Sequence, residues 1–277
     1  MNIRWITRRK GRVLGTSALV AAVAAGAFVL GISSSSQAAA SGDCTDPVMQ
    51  YYRALQYQQS ANNAALELET WRNARVQLDR ILASPAAHAP HKKMAIMTDL
   101  DETVLDNSAL LARDLEQCHT YTTWDTWNDW ELHGNPTLTP GAQAFFDYAN
   151  SKHVAIYYVS DRYQQNIDAT LATLNKLGLP QAVASHTLLY TTDANTKAVR
   201  RAYIEKTHTL LMQFGDQLLD FDGSFAGLTP DQQHVRANQL ASHWGRDWIM
   251  FPNAAYGKWT KASLNAWDAP VVVGYPQ

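Results

Sequence analysis

Residues 94–107 read MAIMTDLDETVLDN. The run is largely apolar from Met94 to Thr98 and then turns acidic, with Asp99 followed two positions later by Asp101. A segment apolar on both faces belongs inside an α/β sheet, and such sheets bind ligands beyond the carboxyl ends of their strands. Asp99 is therefore expected at the mouth of a sheet. One carboxylate there can attack phosphorus, and a second, re-aimed by the turn, can carry a proton to the leaving oxygen. A Ca²⁺ loop also begins D-x-D, but it requires Gly at its sixth position and Glu at its twelfth, where this chain has Val104 and Leu110. The stretch alone leaves one alternative, a polar strand end that caps the next helix, for which Asp, Thr and Asn are ordinary residues.

Outward from this run, apolar strand patterns alternate with helical ones. Strands are predicted over 94–99, 154–160 (VAIYYVS), 187–190, 209–214 and 248–251. Helices are predicted over 108–118, 122–132, 139–151, 165–177, 197–206 and 230–244, the one ending at Leu177 stopped by Gly178. Strands separated by helices imply βαβ units and a mainly parallel sheet with right-handed crossovers. Residues 46–83 carry helical spacing with few breakers, as one long or two shorter helices on the main body, ended by Ser84-Pro85 and Ala89-Pro90.

The first forty residues have a different composition. Arg4, Arg8, Arg9, Lys10 and Arg12 precede an apolar or small run over 13–32, and Gln37 leads into Ala38, Ala39 and Ala40. This is the pattern of a cleaved secretory signal, with Thr7-Arg8-Arg9 suggesting the twin-arginine route; an uncleaved anchor is the competing reading. The expected product, residues 41–277, is one domain that is exported to the periplasm or secreted, with no stable membrane anchor. The whole chain has 23 basic and 25 acidic residues, and losing the five basic groups leaves 18 against 25, a formal net charge of −7. So acidic a chain is a poor partner for nucleic-acid polymers or anionic membranes. Its two cysteines, Cys44 and Cys118, are either one disulfide or two idle thiols. A homodimer is left open.

Two further strand ends and one helix start offer complementary chemistry. The strand over 154–159 delivers Ser160, Asp161 and Arg162, whose hydroxyl and backbone N–H groups can hold phosphate oxygens. The strand ending at Phe214 delivers Gly215, Asp216 and then Asp220. So many carboxylates at one mouth repel unless a cation lies between them, and Mg²⁺ is the natural resident. Lys197 precedes that strand and can offset charge on both the nucleophile and the phosphoryl oxygens. Taken singly, a strand-end Ser or Asp is an ordinary cap and a lone Lys an ordinary solvated charge.

Together these segments resemble the haloacid-dehalogenase (HAD) superfamily of phosphatases, and within it the class C bacterial acid phosphatases, which include 5′-nucleotidases. The match is carried by DLDETVLDN at 99–107, VSDR at 159–162, Lys197 with Arg200 and Arg201, and GDQLLDF at 215–221. TWDTW at 123–127, TPGA at 139–142 and FPNAAYGKW at 251–259 support it. The resemblance implies an α/β fold of the HAD-like Rossmannoid type, three layers around a mainly parallel sheet, with a small mainly helical cap and N-terminal helical region. It implies Asp99 as nucleophile, Asp101 as acid and then base, Ser160 and Lys197 as phosphoryl ligands, and a small phosphomonoester as substrate. Mg²⁺ would be held by Asp99, the Asp101 backbone carbonyl and Asp216, with Asp220 nearby. The family often has Asn where this chain has Asp161, so Arg162 is expected either to contact substrate or to pair with Asp161.

Trp124, Trp127 and Trp130 fall on one helical stripe. They read either as core packing or as a clamp that stacks a flat leaving group, with Tyr256 and Tyr121 as weaker candidates for the same role. The histidines show no metal spacing. Two rivals share the fold: a phosphotransferase using the same residues, and a non-catalytic storage or binding relative, disfavoured by so many like charges at one mouth.

Overall fold

A computed structural model describes residues 47–88, 92–117, 119 and 124–263. Residues 1–40, read above as a signal, and Cys44, Cys118 and Tyr121 lie outside these residues. Five parallel strands make the sheet, β1 (Lys93–Thr98), β4 (Ala155–Tyr163), β5 (Thr187–Tyr190), β6 (His208–Gly215) and β7 (Trp248–Met250), in the order β5-β4-β1-β6-β7. The opening run is thus the central strand, flanked by the two strands that carry the other polar termini.

Side chains alternate along each strand and so build two cores. On one face Ile96, Ile156, Tyr158, Met212, Phe214 and Ile249 pack against α2 (Ala61–Leu82), α5 (Ala142–Ser151) and α6 (Ile167–Lys176). Trp71 of α2 lies at the centre, its ring 4.5 Å from Phe251, 5.1 Å from Phe145 and 5.4 Å from Phe214. Its indole N–H donates to Thr139, whose hydroxyl donates to the Thr103 carbonyl, so the N-terminal helix reaches the turn after β1. On the opposite face Ala95, Met97, Tyr157 and Val159 meet Ile204 of α7 (Lys197–Glu205). The result is the expected three-layer α/β arrangement.

A smaller cluster sits above the carboxyl ends of the strands. It joins Leu55 of α1 (Pro47–Gln58), Leu110 and Leu111 of α3 (Ser108–Glu116), Trp127 of α4 (Asp125–His133) and Ala255. Between the helices runs an antiparallel pair, β2 (Leu105–Asp106) with β3 (Thr137–Leu138), which has no counterpart among the predicted elements. Strands of two residues are too short to show a period. Helix α8 (Pro230–Gln239) also ends earlier than predicted. Among the described residues no helix is long and apolar enough to cross a membrane.

Candidate active site

Asp99 follows the last residue of β1, and its backbone N–H donates to the Phe214 carbonyl at 2.9 Å, so the β1–β6 ladder continues up to the carboxylate. Asp216 comes after β6, and Asp220 ends a 3₁₀ turn over Leu218–Asp220. One carboxylate oxygen from each of the three lies within 4.8 Å of the others, and all three residues are buried. Gly215 makes the approach possible: a Cβ there would stand 2.3 Å from the Asp220 Cβ.

Lys197 opens α7 and reaches into this group. Its Nζ donates to Asp99 Oδ1 and to Asp220 Oδ1, each at 2.6 Å. Burial works against the ammonium, but the charges of Asp220, Asp99 and Asp161 outweigh it and hold the lysine protonated well beyond its usual range. Asp216 is oriented by Asn253 Nδ2 at 2.8 Å, Gln217 Nε2 at 2.7 Å and, more distantly, the Thr103 hydroxyl at 3.4 Å. Burial, reinforced by Asp220, pushes its carboxyl up to about 6. Burial also drives Asp99 well above the carboxylate range, against the pull of Lys197. Three carboxylates therefore face one ammonium. This donor set fits a divalent cation with oxygen ligands, which would remove the repulsion that the lysine leaves uncompensated.

Asp101 belongs to a separate group. Its carboxylate is held by Arg162, with Nη2 at 2.7 Å from Oδ1 and Nε at 3.1 Å from both oxygens, by Asn107 Nδ2 at 2.9 Å, and by the Ser160 hydroxyl at 3.2 Å. Of the two readings of Arg162, the pairing with Asp161 is not found; Asp161 pairs with Arg200 instead. The cause is strand geometry. Strand β4 continues through Ser160 to Tyr163, and Ser160 and Arg162 are buried on one side while Asp161 points out on the other. Although its surroundings partly desolvate it, the charge of Lys197 and the charge and hydrogen bond of Arg200 hold the Asp161 carboxyl below its usual value.

The aromatic stripe divides. Trp127 is buried in the upper cluster, as core packing would have it. Trp124, in a left-handed conformation at the start of α4, is 43% exposed, and its ring meets Tyr256 edge-on at 5.3 Å. Tyr256 also lies 5.7 Å from Trp127, and its hydroxyl donates to Glu102. Trp130 instead gives its indole N–H to Asn107.

Several residues of the site were not assigned from the sequence. Arg200 and Arg201, on the turn after Lys197, bind the Ser160 carbonyl at 2.6 Å and the Phe221 carbonyl at 2.5 Å respectively, and so orient both flanking loops from one helix. Buried Glu102, in a left-handed conformation (φ 56), accepts from the Asn107 backbone at 3.2 Å. Their proximity to Lys197 and Asp101 in the quoted motifs was the available signal.

With this geometry in hand, comparison with known proteins is decisive. The family described as HAD superfamily, subfamily IIIB (acid phosphatase) matches residues 19–259. The chain belongs to this acid phosphatase family. Solved relatives agree: the class C acid phosphatase of Bacillus anthracis is 35% identical, with a TM-score of 0.69 over 76% of this chain and 86% of that one. The same enzyme with tungstate bound is 33% identical, with a TM-score of 0.71 over 80% of this chain and 92% of that one. Subfamily IIIB acid phosphatases are phosphomonoesterases, and small phosphate esters are their class of substrate.

Proposed function

We propose that the chain is an exported, Mg²⁺-dependent acid phosphatase that acts on 5′-nucleotides and other small phosphomonoesters through an aspartyl-phosphate. The observation that carries this reading is the division of the mouth into a three-carboxylate group holding Asp99 and a neighbouring group holding Asp101. Asp99, Asp216 and the Asp101 backbone carbonyl would hold Mg²⁺, with Asp220 beside them. When bound, the ion neutralises charge on the carboxylates and the phosphoryl oxygens.

In the first half-reaction an Asp99 oxygen attacks phosphorus as the bond to the leaving oxygen breaks, and Asp101 gives that oxygen its proton. In the second, Asp101 takes a proton from water as the water displaces Asp99 from phosphorus. Lys197 stays bonded to Asp99 and orients the phosphoryl group together with Ser160, while Arg162 holds Asp101 in place. The B. anthracis relative binds tungstate, a tetrahedral oxyanion like phosphate, which supports an oxyanion site in this chain. Trp124, exposed and braced edge-on by Tyr256, offers its ring to a base or aryl leaving group, while Trp127 supports it from the core. Residues 1–40 serve as the export signal and are removed.

Phosphate release from nucleotides and aryl phosphates, measured with Mg²⁺ and with chelator, tests the reading. Activity that disappears with chelator and returns with Mg²⁺ is expected, with a phosphoenzyme trapped on Asp99 after an acid quench. Chelator-insensitive turnover, or full activity in Asp99→Asn, would sink the mechanism.

A further inference from the structure

Asn107, one of the groups that hold Asp101, is in turn held by Trp130. Asn107 is completely buried, and each end of its amide is committed. Its Oδ1 accepts from Trp130 Nε1 at 2.8 Å and from Arg162 Nη2 at 3.4 Å. Its Nδ2 donates to Asp101 Oδ1 at 2.9 Å and to Glu102 Oε1 at 3.2 Å. Turning the amide over would set an oxygen against two carboxylates and an NH₂ against two donors, so the indole N–H fixes which way the side chain points.

The two oxygens of Asp101 are consequently not equivalent. Arg162 Nε lies 3.1 Å from each and does not by itself choose between them. Arg162 Nη2 at 2.7 Å and Asn107 Nδ2 at 2.9 Å both bind Oδ1, so Asn107 reinforces the asymmetry and Oδ2 is left with Nε and the Ser160 hydroxyl at 3.2 Å. We infer that Asn107 and Trp130 are positioning residues for proton transfer: Trp130 orients the Asn107 amide, which occupies Asp101 Oδ1 and leaves Oδ2 to carry the proton to the departing oxygen. The third tryptophan of the stripe thus does more than pack against the upper cluster: its indole N–H ties helix α4 to the acid.

This inference rests on Asp101 being the acid, and leaving-group dependence separates the two claims. An alkyl ester such as glycerol 2-phosphate needs its leaving oxygen protonated, whereas 4-nitrophenyl phosphate does not. The ratio kcat/KM excludes the later water attack, because it ends with departure of the first product. Asp101→Asn should lower kcat/KM for the alkyl ester on the order of 10²-fold more than for the nitrophenyl ester. Trp130→Phe keeps the ring and deletes only the N–H; it should lower the alkyl value about tenfold and the nitrophenyl value less than about twofold. Asn107→Ala should follow the same pattern more strongly. Selective loss in Trp130→Phe supports the proposal, and equal loss on both esters beside a selective Asp101→Asn overturns it. If Asp101→Asn is itself unselective, the acid assignment falls and takes the proposal with it. If Asn107→Ala does not fold, Trp130→Phe decides alone.

Discussion

The groups around Asp99 and Asp101 sit side by side at the end of one strand and are built on opposite plans. Around Asp101 the carboxylate is paired directly with the Arg162 guanidinium, and both its oxygens are hydrogen-bonded. Around Asp99 three buried carboxylates share a single ammonium, and the burial that concentrates them also raises the proton affinity of Asp99 and Asp216. The first group is complete; the second is made to be completed from outside. Burial is a uniform cost for a charge, and what distinguishes the groups is where the compensation comes from.

Four measurements press on this contrast. Asp99→Asn should lower kcat/KM on the order of 10⁴-fold or more for every ester, whatever its leaving group, because no other group can attack in its place. An effect that varied with leaving group would move Asp99 into the proton-transfer group. Arg162→Met should destabilise the fold by about 3–5 kcal/mol, as expected when one partner of a buried pair is removed, and by equal amounts with and without Mg²⁺. Urea denaturation under both conditions checks this. Mg²⁺ at a hundred times its dissociation constant should stabilise the wild type by about 2.7 kcal/mol. Asp216→Asn should abolish that shift and leave the metal-free protein no less stable than the wild type, since a repelling charge has gone. A metal-free Asp216→Asn that unfolded more easily would show the carboxylates to be balanced already.

The smallest effect concerns a third kind of compensation. Glu67 on α2 is buried, accepts from Asn63 at 2.9 Å, and among the described residues pairs with no cation. Burial, with the charge of Asp106 behind it, raises its carboxyl from an ordinary 4.5 to about 7, so here a proton does the neutralising. A carboxyl raised on folding contributes stability that is complete below about 4.5 and lost as the pH rises through about 7. Glu67→Gln should therefore change little at pH 4 and raise Tm by about 2–4 °C at pH 8, as followed by thermal melts.

What was legible in the sequence follows from burial, and what was hidden follows from geometry that leaves no pattern in the chain. Apolar runs over 94–98, 154–159 and 209–214 became the three adjacent strands β1, β4 and β6, because a strand buried on both faces has no other composition available. Asp99, Asp216 and Lys197 were legible because each sits where such a run ends or a helix begins. The partner of Arg162 was not. Substrate and Asp161 were the candidates, and finding Asp101 instead required knowing that β4 stays extended past Ser160, which an apolar pattern ending at Val159 does not reveal. Asn107 and Trp130 were hidden for a different reason: a hydrogen bond between side chains 23 positions apart leaves no period in the chain. The pair β2–β3 left none either, being too short.

The order of the strands also has a consequence in time. Asp99 meets Lys197 across 98 positions, Asp101 meets Arg162 across 61, and Thr103 meets Asp216 across 113. Closing such loops is slow, and contacts of this span form late in folding. A chain that has completed only α2, β1 and β4 owns Asp99 and Asp101 but neither the lysine nor the carboxylates that give them their chemistry. Turnover therefore requires β6 docked against β1, and so reports chains in which these long-range contacts have closed.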